Sequence, residues 1–242
     1  MITETRTLSV SGIAVSVVRK SIKNLHLGVY PPDGRVRVAA PLAVSDAAVR
    51  VAVIGKLSWI KRQQASFGRQ ARESTREMVS GESHYYRGRR YRLRVIETED
   101  LPRVELRLKQ AIILHVRASS TADARENLLQ RWYRERMQAI VPRLLEKWEA
   151  RLGVIVNDWG IKRMKTKWGS CNPTAGRVWL NLELMKKPPA CLEYVLVHEL
   201  AHLLAKHHDE RFIRLMDRHM PAWRRHRAEL NVAPLGQAVW AR

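Results

Sequence analysis

The stretch Val197–Glu210, VHELAHLLAKHHDE, carries four of the chain's nine histidines. It is either an amphipathic helix that happens to contain imidazoles or a metal site. His198 and His202 are four residues apart, so on a helix they stand about 40° apart around the axis and one turn along it. Two imidazoles placed in this way reach one ion. Glu199 points about 100° away from His198, off the ligand position and toward a water beside it, which suits a general base. The flanks Tyr194-Val195-Leu196-Val197, Leu200-Ala201 and Leu203-Leu204 are apolar nearly all round, so the helix is predicted to be buried. Unpaired polar groups in such a helix cost about 1–3 kcal/mol each. One divalent ion compensates them together.

Zinc hydrolases use three protein ligands and keep one position open. Six residues beyond His202 is about 600° of helix, which puts position 208 on the opposite face. The chain therefore has to turn near Lys206–His207 for His208 to come back, with no glycine there to ease the turn. Asp209 offers an N-cap for a new helix through Phe212, Leu215 and Met216. On geometry alone, His207, Asp209 and Glu210 stand beside His208 as candidates for the third ligand.

Upstream of this stretch, strands are predicted at 154–157, 161–168 and 177–184, the last two joined by NPTAG (residues 172–176), and Pro188–Pro189 leads into the histidine helix. A long helix opens at Thr121 or Asp123, carries Leu128, Leu129, Trp132, Met137, Ile140, Leu144, Leu145 and Trp148, is expected to kink or break at Pro142, and stops at Gly153. The first half alternates apolar and polar residues from Thr7 to Ala40, with PPDG (residues 31–34) as a hairpin turn. Ser45 then caps a helix to about Arg72, with Val49, Val53, Leu57, Ile60 and Gln64 at helical spacing. Strands follow at Tyr85–Ile96, Val104–Lys109 and Ile112–Val116. The chain reads as α+β, with a β-rich lobe over residues 1–118 that holds one long helix and a second lobe over 119–242. No internal repeat or low-complexity segment is visible.

Composition narrows the classes. A chain of 242 residues, 45% hydrophobic and 28% charged, buries a core without staples, and its two cysteines, Cys171 and Cys191, rule out a disulfide framework as its organising principle. The N-terminus MITETRTLSVSG has neither a basic start nor an apolar run of secretory type. The longest apolar run, around Ala47–Ile60, is cut by Arg50 and Lys56 and is too short to span a bilayer. A soluble cytoplasmic protein with no membrane partner is expected. The net charge of +21 is spread over both halves, and 32 of the 44 cations are arginine. Such a surface attracts polyanions whatever their sequence.

The stretch RMKTKWGSCNPTAGRVWLNLELMKKPPACLEYVLVHELAHLLAKHHDERFIRLM, residues 163–216, closely resembles the YgjP-like metallopeptidase family, which is related to SprT-like and gluzincin-type zinc peptidases. RKSIKNLHLGVYPPDGRVRVAAP and RLGVIVNDWGIK also look like that family. The resemblance is carried by W-G-S-C, x-x-L-N-x-x-L and H-E-L-x-H in order and at these spacings. It implies a zincin-like second lobe, with a small sheet packed on a long helix and an HExxH helix. It also implies one zinc ion per chain, held by His198, His202 and a third histidine ten residues after the first, His208, with Glu199 as catalytic base. Where the family usually has Asn-His-Ser, this chain has His207-His208-Asp209. By analogy with related peptidases, the strand before the active-site helix, Val178–Leu184, is the sheet edge along which a substrate peptide lies. Trp168, Gly169 and Ser170 sit on or beside its neighbour, and these three with Asn181 are the substrate-binding candidates. Cys171 is expected to be a small buried thiol.

The expected activity is metal-assisted hydrolysis of peptide bonds in a protein or peptide substrate. Tyr194, His219, His226 and several arginines are candidates by type for oxyanion stabilisation, and the sequence does not select among them. A competing class is nucleic-acid binding: as a strand, YYRGRRYRLRV (residues 85–95) puts Arg90, Arg92 and Arg94 in a row on one face, opposite Tyr91, Leu93 and Val95. A third possibility keeps the metal as a purely structural element of the second lobe.

Overall fold

The computed structural model describes residues 5–30, 34–69, 76–107, 111–164 and 167–232. These form two compact units, one over the described residues as far as 69 and the other from 76 onward. The chain is α+β, with three small sheets among the described residues. No helix among the described residues is long and apolar enough to cross a membrane.

In the first unit, β1 (Thr5–Val10), β2 (Ile13–Lys20), β3 (His26–Tyr30) and β4 (Arg35–Pro41) form a sheet in the order β1-β2-β4-β3. The central pair β2/β4 is parallel and both flanking pairs are antiparallel. Alternation along the strands turns Val15, Val17, Val36 and Val38 to one face, where Val49, Val53 and Ile60 cover them. Those last three come from two helices, α1 (Asp46–Ile54) and α2 (Leu57–Arg69), where the sequence predicts one. Ser45 caps as expected, its hydroxyl accepting from the Ala48 amide at 3.2 Å. The break falls at Gly55, whose amide donates to Val51, while Lys56 bonds the carbonyl of Val53 only three residues back. Of the PPDG turn, residues 31–33 lie outside the described residues.

In the second unit, β5 (Ser83–Tyr86), β6 (Arg89–Glu97), β7 (Arg103–Arg107) and β8 (Ala111–Val116) form a sheet in the order β5-β6-β8-β7, again with a parallel centre and antiparallel flanks. The two four-stranded sheets thus repeat one topology although the sequence shows no repeat, because pairing of this kind requires alternation rather than particular residues. The single strand predicted over Tyr85–Ile96 is a hairpin turning at Arg87-Gly88. Arg90, Arg92 and Arg94 are exposed along β6, with Tyr91 and Leu93 buried between them.

Behind this sheet lies α3 (Ala122–Leu152), capped by Thr121 and ended by Gly153 at φ 67°. It runs unbroken through Pro142. Pro142 and Gln138, one turn back, are both exposed, so the carbonyl that the proline leaves without a donor is on the solvent side. Tyr86, Tyr91, Leu93, Ile112 and Leu114 share one core with Leu128, Trp132, Tyr133 and Met137 of α3. Residues 76–116, which the sequence groups with the N-terminal lobe, therefore lie in the same compact unit as α3 and the division falls near residue 72.

The third sheet packs in the same core. Its strands are β9 (Asp158–Lys162), β10 (Gly169–Asn172) and β11 (Arg177–Asn181), in the order β10-β11-β9. Residues 154–157 form no strand, the described residues of the stretch predicted at 161–168 hold only the end of β9, and the strand expected at 177–184 ends at Asn181 in a 3₁₀ turn, Leu182–Lys186. NPTAG does make the β10–β11 turn, with the Asn172 side chain accepting from the Ala175 amide. The helices α4 (Pro189–Ala201), α5 (Glu210–His219) and α6 (Trp223–Val232) complete the unit.

Candidate metal centre

Pro189 occupies the first turn of α4, where a proline costs no hydrogen bond, and the helix buries residues on every side from Cys191 to Ala201. It ends at His202, earlier than the turn predicted at 206–207. His202, Leu203 and Leu204 each bond a carbonyl three residues back, and this tightening turns the chain without a glycine. Asp209 then caps α5 as expected, its carboxylate accepting from the Phe212 amide at 3.1 Å.

This turn brings His208 back. One ligand-type atom from each of His198, His202 and His208 lies within 4.8 Å of the others. The Nε2 atoms of His198 and His208 are 3.0 Å apart, close to the about 3.3 Å that separates two nitrogens at 2.0–2.1 Å on one tetrahedral ion. His202 Nδ1 donates to the Ala205 carbonyl at 3.1 Å, which leaves Nε2 as its free donor atom. Phe212 packs against all three rings at 4.7–4.9 Å between centroids. Burial, with His202 and His208 beside it, pushes His198 down to about 3. Burial likewise lowers His208. Both are thereby kept neutral at pH 7, the form that binds a metal. The donor set fits a divalent transition-metal ion, for which imidazole is a suitable ligand. Of the rival ligands, Asp209 serves as the cap, Glu210 pairs with Arg214, and neither they nor His207 belong to the cluster.

Glu199 lies on the same cavity and is buried, and that burial pushes its carboxyl up to about 7 against the opposing charge of Lys167. Its position depends on Gly169: a Cβ there would come within 2.7 Å of Glu199 Oε1 and 2.9 Å of Val195 Cγ1. The glycine of W-G-S-C is thus explained by the close approach of β10 to α4.

A cavity of about 590 Å³ is lined by the three histidines, Glu199, Trp168, Gly169, Ser170, Cys171 and Tyr194 among others. Cys171 is half-buried, and burial together with the Glu199 charge pushes its thiol up to about 11. Asn181 is not on the cavity wall. It is fully buried, and its side chain bonds Met164, Lys167 and Glu183 of the main chain, holding the segment that leads into β10. The substrate edge is also not Val178–Leu184: β11 is paired on both sides, by β10 and by β9. Among the described residues, the strand that lines the cavity and lacks a partner on one side is β10. Of the oxyanion candidates, Tyr194 lines the cavity, while His219 and His226 do not. The cavity also gathers Lys167, Lys206 and Arg227, which no sequence pattern distinguishes among 44 cations.

Three convergent imidazoles beside a buried carboxylate are a donor set that could hold a metal ion. Residues 23–233 match the YgjP-like, metallopeptidase domain family, and the chain belongs to that family. No curated protein matches it. Among solved structures, the metallopeptidase zymogen of Pyrococcus abyssi abylysin is 24% identical, over 38% of this chain and 91% of that one, with a TM-score of 0.36. The family assignment does not rest on that likeness.

Proposed function

We propose that this chain is a zinc-dependent peptidase with a zincin-like second unit, in which His198, His202 and His208 hold one zinc ion and Glu199 is the general base. The observation that carries this is the convergence of the three imidazole nitrogens within 4.8 Å on a cavity that also holds the Glu199 carboxylate. Zinc bound there supplies Lewis acidity toward water and the scissile carbonyl. Glu199, with its affinity for protons raised by burial, takes a proton at a carboxylate oxygen and returns it to the leaving amine. The free edge of β10 offers main-chain hydrogen bonds to an extended peptide, largely indifferent to its sequence. Trp168 and Ser170 flank that path, and Gly169 keeps β10 close enough to Glu199 for the peptide to reach it.

The test is zinc content per chain beside cleavage of a denatured protein such as casein. About one zinc is expected in the wild type, lost in His202→Ala and His208→Ala. Glu199→Gln should keep the zinc and lose activity by on the order of 10²–10⁴-fold. If Glu199→Gln cleaves as well as the wild type, the metal is structural. The exposed row Arg90, Arg92 and Arg94 supports a second reading, in which the protein is nucleic-acid associated and its metal unit is structural or acts on DNA-bound proteins. DNA retention that falls steeply with salt and is lost in Arg90→Gln/Arg92→Gln/Arg94→Gln is its signature.

A further inference from the structure

Lys167, Lys206 and Arg227 reach the cavity from three separate segments: the start of β10, the turn between α4 and α5, and α6. All three are exposed, and among the described residues none forms an ion pair. Of the cations outside the cavity, Arg214 pairs with Glu210, Arg177 with Asp158, and Arg224, three residues before Arg227 on the same helix, with Asp217, whereas Arg211, Arg218 and Arg225 share the rim's lack of an ion pair among the described residues but do not line the cavity. The field of Arg227 reaches Tyr194, His198 and His208, and that of Lys167 reaches Glu199. Glu199 is the one carboxylate in the cavity lining, and the rest of the wall is mostly apolar, with Trp168, Tyr194, Val195, Pro173 and Leu230. Low-dielectric walls around charges of one sign focus their field on whatever occupies the cleft. Exposed cations that form no ion pair of their own stay available to an anionic group entering the cleft.

We propose that Lys167, Lys206 and Arg227 form a carboxylate-selecting rim, so that the site prefers peptides with a carboxylate close to the scissile bond. This rests on the peptidase assignment above. The carboxylate comes from an Asp or Glu side chain or from the free C-terminus of the peptide, and both present the same group to the rim. Arginine takes it through two parallel hydrogen bonds and the lysines act as point charges.

The test measures binding by the full chain carrying Glu199→Gln, with zinc added, so that affinity is read without cleavage. The probes are three dansyl-labelled peptides of equal length: Glu-containing with an amidated C-terminus, its Gln counterpart amidated, and the Gln peptide with a free C-terminus. At least one carboxylate-bearing peptide should bind about tenfold more tightly than the amidated Gln peptide. Which one does so identifies the source of the carboxylate. The preference should shrink to about twofold or less in Lys167→Gln/Lys206→Gln/Arg227→Gln. It should persist in Arg90→Gln/Arg94→Gln, which removes as many exposed charges as two of the rim substitutions but leaves the cavity intact. Equal binding of all three peptides overturns the proposal. So does a preference that survives loss of the rim or disappears with the β6 arginines, since it then comes from overall charge. Zinc content and casein cleavage, measured on the wild type alongside, score the peptidase assignment separately: a chain without zinc or cleavage that still prefers carboxylates only through the rim would refute that assignment and keep the rim.

Discussion

The two-residue turns Ser11-Gly12 and Arg87-Gly88 are built alike and differ in what they touch. Each closes the first hairpin of a four-stranded sheet, joining Val10 to Ile13 and Tyr86 to Arg89. Their dihedrals nearly coincide, with φ of 50° and 78° in one and 49° and 77° in the other. Two positive φ values in succession make the turn that matches strand twist, and they explain the glycine in second place. A Cβ added at Gly12 meets nothing within 4 Å, whereas one at Gly88 would lie 2.8–3.0 Å from Pro188, the N-cap of α4. The amides of Arg87 and Gly88 donate to the carbonyls of Met185 and Lys186. The first turn merely reverses the chain. The second also fastens a sheet to the start of the histidine helix.

The contrast can be broken or sharpened at several strengths. Metal removal should act most strongly on activity and on one unit only: chelation, or His202→Ala, should abolish peptide cleavage and strip a stabilisation of about 2.7 kcal/mol at a hundredfold excess of zinc over Kd. Hydrogen exchange should then rise in α4 and α5 and stay unchanged over residues 5–69. Next come the turns themselves. Gly12→Ala should cost about 1 kcal/mol, the strain of a positive φ, and leave activity intact, whereas Gly88→Ala adds overpacking on Pro188 for a total of about 2–4 kcal/mol and weakens zinc binding. Equal costs in denaturant melts would show that the second turn is not a fastening.

A smaller effect is expected where the second sheet is tied to α3. The Tyr133 hydroxyl donates to the Tyr85 carbonyl at 2.6 Å, and Tyr133→Phe should lose about 1 kcal/mol. The smallest concerns acid. Burial by itself would raise Glu193, but hydrogen bonds from Lys147 and Trp148 of α3 override it and hold the carboxyl below its usual value. Its folded pKa lies below its unfolded one, so its contribution is present above about pH 4.5 and is lost as the pH falls through the folded value. Glu193→Gln should flatten the acid side of the stability profile for the second unit and leave the first unit's profile alone.

What was legible in the sequence was local. Ser45, Thr121 and Asp209 cap their helices and Gly153 ends α3, because a cap is decided by a side chain and an amide two or three residues away. The His198/His202 spacing was legible for the same reason. The alternation of Arg90, Arg92 and Arg94 with buried Tyr91 and Leu93 was legible too, although alternation alone does not reveal the Arg87-Gly88 turn just before it. Less legible were features set by neighbours distant in the chain. Nothing local marks β11 as central and β10 as the edge, since both are short and alternate. Asn181 looks like a ligand-contacting asparagine until its partners at 164, 167 and 183 are seen.

The sequence by itself determined the periodicities, the helix ends and the residue types of the proposed centre, because these depend on contacts within one or two turns of chain. Tertiary structure decided which strand is left with an open edge, why position 169 must be glycine, that the second turn grips Pro188, and that three cations of 44 meet at one cavity. Those are distances between segments far apart in sequence, and they arise only when the core closes around α3 and α4.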